Sequence, residues 1–417
     1  MAIGYACIAI GVPNAGISGC ILKNAEEHRL RSLIASNLKA LEVLLDYNKM
    51  NGIKLFRISS DLIPFASHPV NRIPWWKDYR EELTQIGAKI REVGMRVSMH
   101  PGQYTVLNSP EDGVAQKAVE DLIYHERVLS SLGMDRSSKL ILHIGGSYGD
   151  KTKAMNTFLH NYRKLPQELK DRLVIENDDK IYNIRDVLSV SELTGAPVVF
   201  DNLHHKVKPP EVDLPEGEWI RKSGKTWRSE DGKQKLHYSI QKEGGAPGAH
   251  SDTVWLKEFL AFYYGLPEKK PDIMLEVKDK NLSAVKCILG VKNVPAKALE
   301  QEWARYQYYT LSRSAGIYQD IRELLKDKDA KCVKEFYDFL EQAYVLPEDP
   351  DAEVKAAEHV WRYLSNDCSR TERNRYHKLM EAYQNGTGEI RAVKNHLLKV
   401  AGNRTMDYLL QSLYFYM

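Results

Sequence analysis

Short apolar runs and longer stretches of helical period alternate along the first two-thirds of the chain. The runs fall at 3–8 (IGYACI), 54–59 (KLFRIS), 96–100 (RVSMH), 140–145 (LILHIG), 173–178 (LVIEND), 197–201 (PVVFD), 234–239 (QKLHYS) and 272–277 (DIMLEV). Their near-continuous apolar character is that of strands buried on both faces of a parallel sheet. The stretches between them repeat apolar residues every three or four positions. In 25–50, Leu30, Leu33, Ile34, Leu38, Leu41 and Leu45 form one stripe; similar stretches lie near 77–93, 113–132, 152–164, 183–194 and 252–265. Eight strands joined by helical crossovers predict an α/β fold, a closed (β/α)8 TIM barrel. The rival, an open doubly wound sheet, usually carries a Gly-rich phosphate turn after its first strand, and none is seen here. Beyond about residue 295 the strand pattern stops. Residues 297–417 read as five or six helices whose aromatics, at helical spacing, are mostly core. The predicted organisation is a barrel domain over 1–295 and a smaller all-α domain over 296–417.

Composition narrows the class only slightly. The chain has 417 residues, 43% hydrophobic, with a net charge of +3, which neither demands nor excludes nucleic acid. Its five cysteines are odd in number and scattered, with no C-x-x-C, so a disulfide framework or zinc ribbon is not expected and a reducing cytosol fits. The start, "MAIGYACIAIGVPNAG", has no basic region and contains Gly and Pro, reading as strand and loop rather than signal peptide. No stretch reaches 18 apolar residues, so a cytoplasmic protein without a membrane partner is expected. The segment 206–233 mixes Pro, Gly and charge, with Trp219 and Trp227 among Arg221, Lys222, Lys225, Arg228 and Lys233. It reads as a solvated loop around a short helix, or as a basic-aromatic surface against a phosphate backbone.

The chemistry concentrates where the strands end. Strand three ends in His100 and strand four carries His143; strand five ends in Glu176-Asn177-Asp178. Strand six ends in Asp201, followed by His204-His205, strand seven holds Lys235-x-His237, and strand eight carries Glu276. Singly, each has a plain structural explanation: a hydrogen-bonded core histidine, a helix N-cap, the wet face of a strand. Together they do not, because a barrel brings all its C-terminal strand ends to one mouth. Crowded there without counter-charge, Glu176, Asp201 and Glu276 would repel one another and resist ionisation. Divalent cations solve that problem, and mixed imidazole and carboxylate ligands suit zinc, manganese or iron in a site with more than one ion.

The blocks "LFRISSDLIPFASHP", "SMHPGQYTVLNSP", "LILHIGGSYGDK", "LVIENDDK", "VVFDNLHH", "KLHYS" and "APGAHSD…MLEVKDK", in that order over residues 3–290, resemble the UV damage endonucleases, relatives of the endonuclease IV-type apurinic endonucleases. The resemblance implies two or three divalent ions, Mn2+ in first place with Zn2+ and Mg2+ as alternatives. One would be held by His100, His143 and Glu176; a second would share Glu176 and add Asp201, His237 and Glu276. A third would use His204 and His250, with Lys235 as the unusual member, a lysine that in the family is carboxylated to a carbamate. His68 matches a family active-site position near the scissile phosphate. Gln103 and Tyr104 match the pair that probes the duplex from its minor groove, and Tyr5 a tyrosine lining the lesion pocket. Ala9 departs from the pattern, standing where the family carries an asparagine. The C-terminal pattern, including "WARYQYYTLSRSAGIYQDI", resembles an uncharacterised helical family, YbgA-like, whose function the residues do not reveal.

The function implied is a monomeric DNA-repair endonuclease that nicks damaged duplex DNA 5′ to pyrimidine dimers and 6-4 photoproducts, with abasic sites as a further substrate, opening nucleotide excision repair. Catalysis would rest on a water made acidic by the cations, with Glu176, Glu276, His68 and Lys235 as catalytic residues. Two rivals stand beside it. A metal-dependent sugar isomerase or epimerase uses the same kind of barrel and needs no wedge into DNA. A lesion-binding protein without activity would lack incision altogether.

Overall fold

The computed structural model describes residues 1–417. Its eight strands are β1 (Ile3–Ala6), β2 (Leu55–Ile58), β3 (Arg96–Met99), β4 (Lys139–Leu142), β5 (Leu173–Glu176), β6 (Val198–Asp201), β7 (Lys235–Tyr238) and β8 (Asp272–Leu275). Neighbours pair in parallel from β1 to β8, and β8 returns to β1 to close the barrel. The expected (β/α)8 barrel is what forms. Each strand has four residues, fewer than any of the apolar runs. The difference has a physical reason: His100 and His143 follow the last residues of β3 and β4, where the chain leaves the ladder.

Side chains along a strand alternate between the two faces. The register Tyr5↔Phe56 and Ala6↔Arg57 separates two sets. Arg57 reaches His237 and Glu276 inside the barrel, whereas Phe56 lies on the opposite face, beneath the helices. The inward set changes character along the axis. At the strand starts, Arg96 donates to Asp272 (3.2 Å), and buried Lys139 donates to Asp231 (2.6 Å) and to the carbonyl of Asp171 (2.7 Å). Above this charged floor lie apolar contacts, Ala6, Leu55 and Met274 in one group and Ile141, Val174 and Val199 in another. Trp227 packs against the second group, donates its indole N–H to Val198 O (2.8 Å) and has Arg96 over its ring. Trp219 is buried. The two indoles of 206–233 are thus packing residues, and Trp227 plugs the end of the barrel opposite the mouth.

The crossover helices bury the predicted stripes. Glu27–Met50 buries Leu30, Leu33, Ile34, Leu38, Leu41 and Leu45. Arg80–Val93 ends on Gly94 at φ 62°, a left-handed C-cap that glycine adopts without steric cost. Ile184–Thr194 opens with a capping box between Asn183 and Asp186.

The chain divides into two compact units. One comprises residues 1–9, 14–254 and 261–285; the other comprises 10–13, 255–260 and 286–417. Lys286 belongs with the second because its ammonium pairs with Glu341 at 2.8 Å, and the Leu256 amide donates to the same carboxylate. The second unit is all helical, with Glu300–Arg313, Ala315–Leu324, Val333–Val345, Pro350–Leu364, Arg370–Gln384, Ile390–Asn403 and the short Asp407–Leu410. Its core gathers Tyr308, Leu311, Val360, Leu364, Tyr376 and Leu397, and Trp361 stacks on Tyr376 at 4.1 Å. No helix of the chain is long and apolar enough to cross a membrane.

Candidate metal centre

The mouth of the barrel gathers seven of the predicted ligands around Glu176, the last residue of β5. In each of two sets, His100, His143 and Glu176, and Glu176, Asp201, His237 and Glu276, the potential ligand atoms all lie within 4.8 Å of one another. One carboxylate oxygen of Glu176 faces His100 Nε2 (3.2 Å) and His143 Nε2 (3.5 Å), and the other accepts from His237 Nδ1 (2.7 Å). His204 Nδ1 stands 3.7 Å from both Glu176 and Asp201, and His250 Nε2 stands 4.0 Å from Glu276. The rings of His204 and His250 are 6.2 Å apart. Glu176, Asp201 and His237 are buried, while His100, His143, His204 and His250 form the more open rim.

Hydrogen bonds decide which nitrogens are bare. His100 Nδ1 donates to Pro101 O (2.9 Å), and His204 Nδ1 donates to Asn177 O (2.9 Å). With Nδ1 holding its proton, Nε2 of each ring is left as a lone pair once the ring is in its neutral, metal-binding form. His100 Nε2 then points a lone pair at a Glu176 carboxylate oxygen, acceptor against acceptor. A cation between them turns repulsion into ligation. Two further buried atoms, Asp201 Oδ2 and His143 Nδ1, have no hydrogen-bond partner. Bare imidazole nitrogens, an unpartnered buried carboxylate oxygen and a carboxylate common to both sets fit divalent cations by donor type.

The electrostatics describe the same crowding. Burial pushes the Glu176 carboxyl up, but His237 and His143 outweigh it and hold it well below the usual carboxylate range. Burial raises Asp201 to about 6, with His204 opposing and Glu176 and Glu276 adding to the rise. His204, whose burial favours the neutral ring, is carried up to about 9 by Asp201 and Glu176. Protons therefore compensate part of the carboxylate charge before any cation arrives, and cation binding has to displace them.

Three structural participants escape a reading of strand-end ligands. Arg57, buried on β2, donates to Glu276 and to His237 Nε2 (2.9 Å). A guanidinium can only donate, so His237 Nε2 accepts and its proton sits on Nδ1, aimed at Glu176, a proton that a cation bound at Nδ1 would displace. In sequence, Arg57 was legible only as a charge inside an apolar run. Asn177 and Asn202 replace ladder rungs where strands end. Asn177 donates to Asp201 O (3.1 Å) and accepts from Asp201 N (2.9 Å); Asn202 makes the same pair of bonds to Ser239. Their signal was an asparagine directly after each carboxylate. Arg57→Gln is expected to cost the metal-free protein about 3 kcal/mol, because Glu276 loses its cation in a largely buried site. In saturating Mn2+ the loss should shrink, the bound charge replacing the guanidinium. Urea unfolding with chelator and with Mn2+ checks this; equal losses in both would contradict it.

The remaining predicted residues fall elsewhere. His68 is exposed in the loop after β2, with its Nδ1 accepting from Val70 N (3.1 Å). Gln103 and Tyr104 are exposed on the loop after β3, Tyr104 at 84%. Tyr5 is fully buried on the outward face of β1, edge-on to Phe56 at 5.2 Å. Strand alternation is the reason, since its neighbours in register face the helices. Lys235 is also apart from the two ligand sets. It is fully buried at the start of β7, and its Nζ has no hydrogen-bond partner. Burial, with Arg96 and Arg57 adding, pushes its amine far below the usual lysine range.

Comparison with known proteins matches residues 3–297 to the family described as UV-endonuclease UvdE, and residues 307–417 to one described as protein of unknown function (DUF1722). A UV DNA damage endonuclease of Clostridium perfringens is 38% identical over 385 residues, spanning 91% of this chain and 92% of that protein. One from Bacillus velezensis is 32% identical over 286 residues, 67% of this chain and 89% of its own. Among solved structures, the crystal structure of SacUVDE superposes with a TM-score of 0.66 at 38% identity, covering 70% of this chain and 99% of that one.

Proposed function

Since the chain belongs to the UV-endonuclease UvdE family, we propose that its barrel cuts duplex DNA on the 5′ side of UV lesions, leaving a 3′-hydroxyl and a 5′-phosphate. It is a metal-dependent DNA-repair endonuclease. The observation that carries it is Glu176, whose carboxylate faces imidazoles on one side and a second carboxylate-rich set on the other. Divalent ions bound there would acidify a water and neutralise charge building on the phosphate.

His100, His143 and Glu176 would hold one ion, and Glu176, Asp201, His237 and Glu276 a second. His204 and His250 would hold a third. Mn2+ suits this mixture first, with Zn2+ and Mg2+ as alternatives. Arg57 keeps Glu276 ionised, despite burial that opposes it, so that this carboxylate orients the attacking water. His68, exposed beside the mouth, contacts the scissile phosphate. Gln103 and Tyr104 enter the duplex beside the lesion and replace the stacking and pairing lost as damaged nucleotides leave it. Lys235, as a neutral amine among Arg57, Arg96 and Lys139, is in the form that adds carbon dioxide with loss of a proton to water, and those three cations suit the resulting carbamate anion. Pyrimidine dimers and 6-4 photoproducts are the substrates, with abasic sites as a further one. The protein acts as a monomer in the cytosol, where its five cysteines, none in a disulfide, remain thiols.

The test is incision of a duplex carrying one cyclobutane pyrimidine dimer, beside the undamaged duplex and a panel of ketohexoses. A single nick 5′ to the dimer in Mn2+ is expected, with no cut in undamaged DNA and no sugar turnover. Sugar epimerisation without incision would establish the isomerase reading instead.

A further inference from the structure

Helix Asp112–Ser131 crosses behind both loops that carry the residues proposed to meet DNA, and one of its carboxylates touches each. Asp121 Oδ1 accepts from Ser67 Oγ at 3.0 Å, one residue before His68. Asp121 Oδ2 accepts from Thr105 Oγ1 at 2.7 Å, one residue after Tyr104. One turn on, His125 Nδ1 donates to Asp121 O (2.7 Å), and His125 Nε2 lies 2.9 Å from Ser60 Oγ. Ser60 Oγ in turn donates to the carbonyl of His100 at 2.8 Å. Tyr124, between them, donates to Ser60 O at 2.8 Å. A single helical turn thus reaches the His68 loop, the Tyr104 loop and the backbone of the first predicted ligand.

Two further observations bear on what these bonds do. The loops do not close on one another through apolar packing: a cavity of about 500 Å3 lies between them and the helix, lined by Phe65, Tyr104, Val114, Lys117 and Asp121. The His68 loop also carries strain, since Phe65 sits at φ 56°, a left-handed conformation that a bulky side chain rarely adopts. Such a conformation persists only where its surroundings over-determine it, and the Ser67–Asp121 bond acts two residues further on.

We propose that Asp121 is a positioning residue that clamps the His68 loop and the Gln103–Tyr104 loop in one fixed relation, coupling insertion of the probing pair to placement of the scissile phosphate. The proposal rests on the reading of His68 and Tyr104 given above. Tilting either loop by an ångström displaces a group that must meet DNA, and misplacement on that scale costs about 100-fold in rate.

The test uses the full-length Mn2+-loaded protein with Asp121→Ala, Ser67→Ala and Thr105→Val. Hydrogen–deuterium exchange is followed in peptides covering 60–70 and 101–106, and kcat and KM are measured on the dimer-containing duplex. Asp121→Ala should speed exchange in both segments and lower kcat/KM about 100-fold. Ser67→Ala should loosen only the first segment and act mainly on kcat. Thr105→Val should loosen only the second and act mainly on KM for damaged DNA, each by about tenfold. Exchange unchanged in both segments on Asp121→Ala, or equal losses from all three variants in kcat and KM alike, would overturn the clamp. If the wild type does not incise the dimer, the proposed function fails while the exchange pattern still decides the clamp.

Discussion

Glu176→Gln is expected to abolish incision and to weaken binding of the cations that its two ligand sets would hold. The substitution preserves size and an acceptor, so the barrel should fold as before. What disappears is the negative charge shared by the two ligand sets, which lies against His100 and His143 on one side and His237 on the other. A catalytic cation supplies several kcal/mol of charge stabilisation, and each 1.36 kcal/mol is tenfold in rate, so the loss should reach roughly 10^3-fold or more. Metal analysis gives the companion result: fewer ions per chain at equal free Mn2+. Asp201→Asn, which belongs to one set only, should retain the ion held by the other. If Glu176→Gln kept its full metal content, the shared-carboxylate arrangement would be wrong even with activity lost.

The second large effect separates recognition from chemistry. Replacing Gln103 and Tyr104 together by alanine should lower incision of dimer-containing duplex about 100-fold and leave metal content unchanged. Stacking of an aromatic on a base contributes about 1–3 kcal/mol, and Tyr104, exposed at 84%, makes little packing contact that its loss would disturb. The damaged nucleotides would then leave the helix with nothing to fill the gap, so the penalty should be smaller for a lesion whose pairing is already weak. Incision kinetics on dimer, 6-4 photoproduct and abasic duplexes measure that ranking. Full activity of the double variant on every lesion would remove the wedge from the mechanism.

Legibility in the sequence followed how local the signal was. The eight strands stood out because a parallel barrel strand is apolar on both faces, and closure followed from their number. The strand ends stood out too, because His100, Glu176, Asp201 and Glu276 interrupt or end apolar runs where only the mouth can use them. Face and depth were harder. Tyr5 occupies a family position, yet period-two alternation turns it beneath the helices, a matter of one residue in register. Lys235 and His237 share a face but not a depth: two residues along β7 separate the charged floor from the mouth. Arg57 went unread because its partners, His237 and Glu276, are 180 and 219 residues distant in sequence. Trp219 and Trp227 suggested a surface by composition, but indoles beside basic residues pack as readily as they bind, and these two pack.

The most direct measurement counts ions and cuts on the same sample. Full-length protein depleted by chelator is titrated with Mn2+, and bound ions per chain are read alongside the rate of nicking 5′ to a single dimer. No incision without metal is predicted, with activity returning as at least two ions bind to each chain. Incision at full rate by protein holding no ion would mean that the donors gathered around Glu176 serve some purpose other than gripping cations for DNA cleavage.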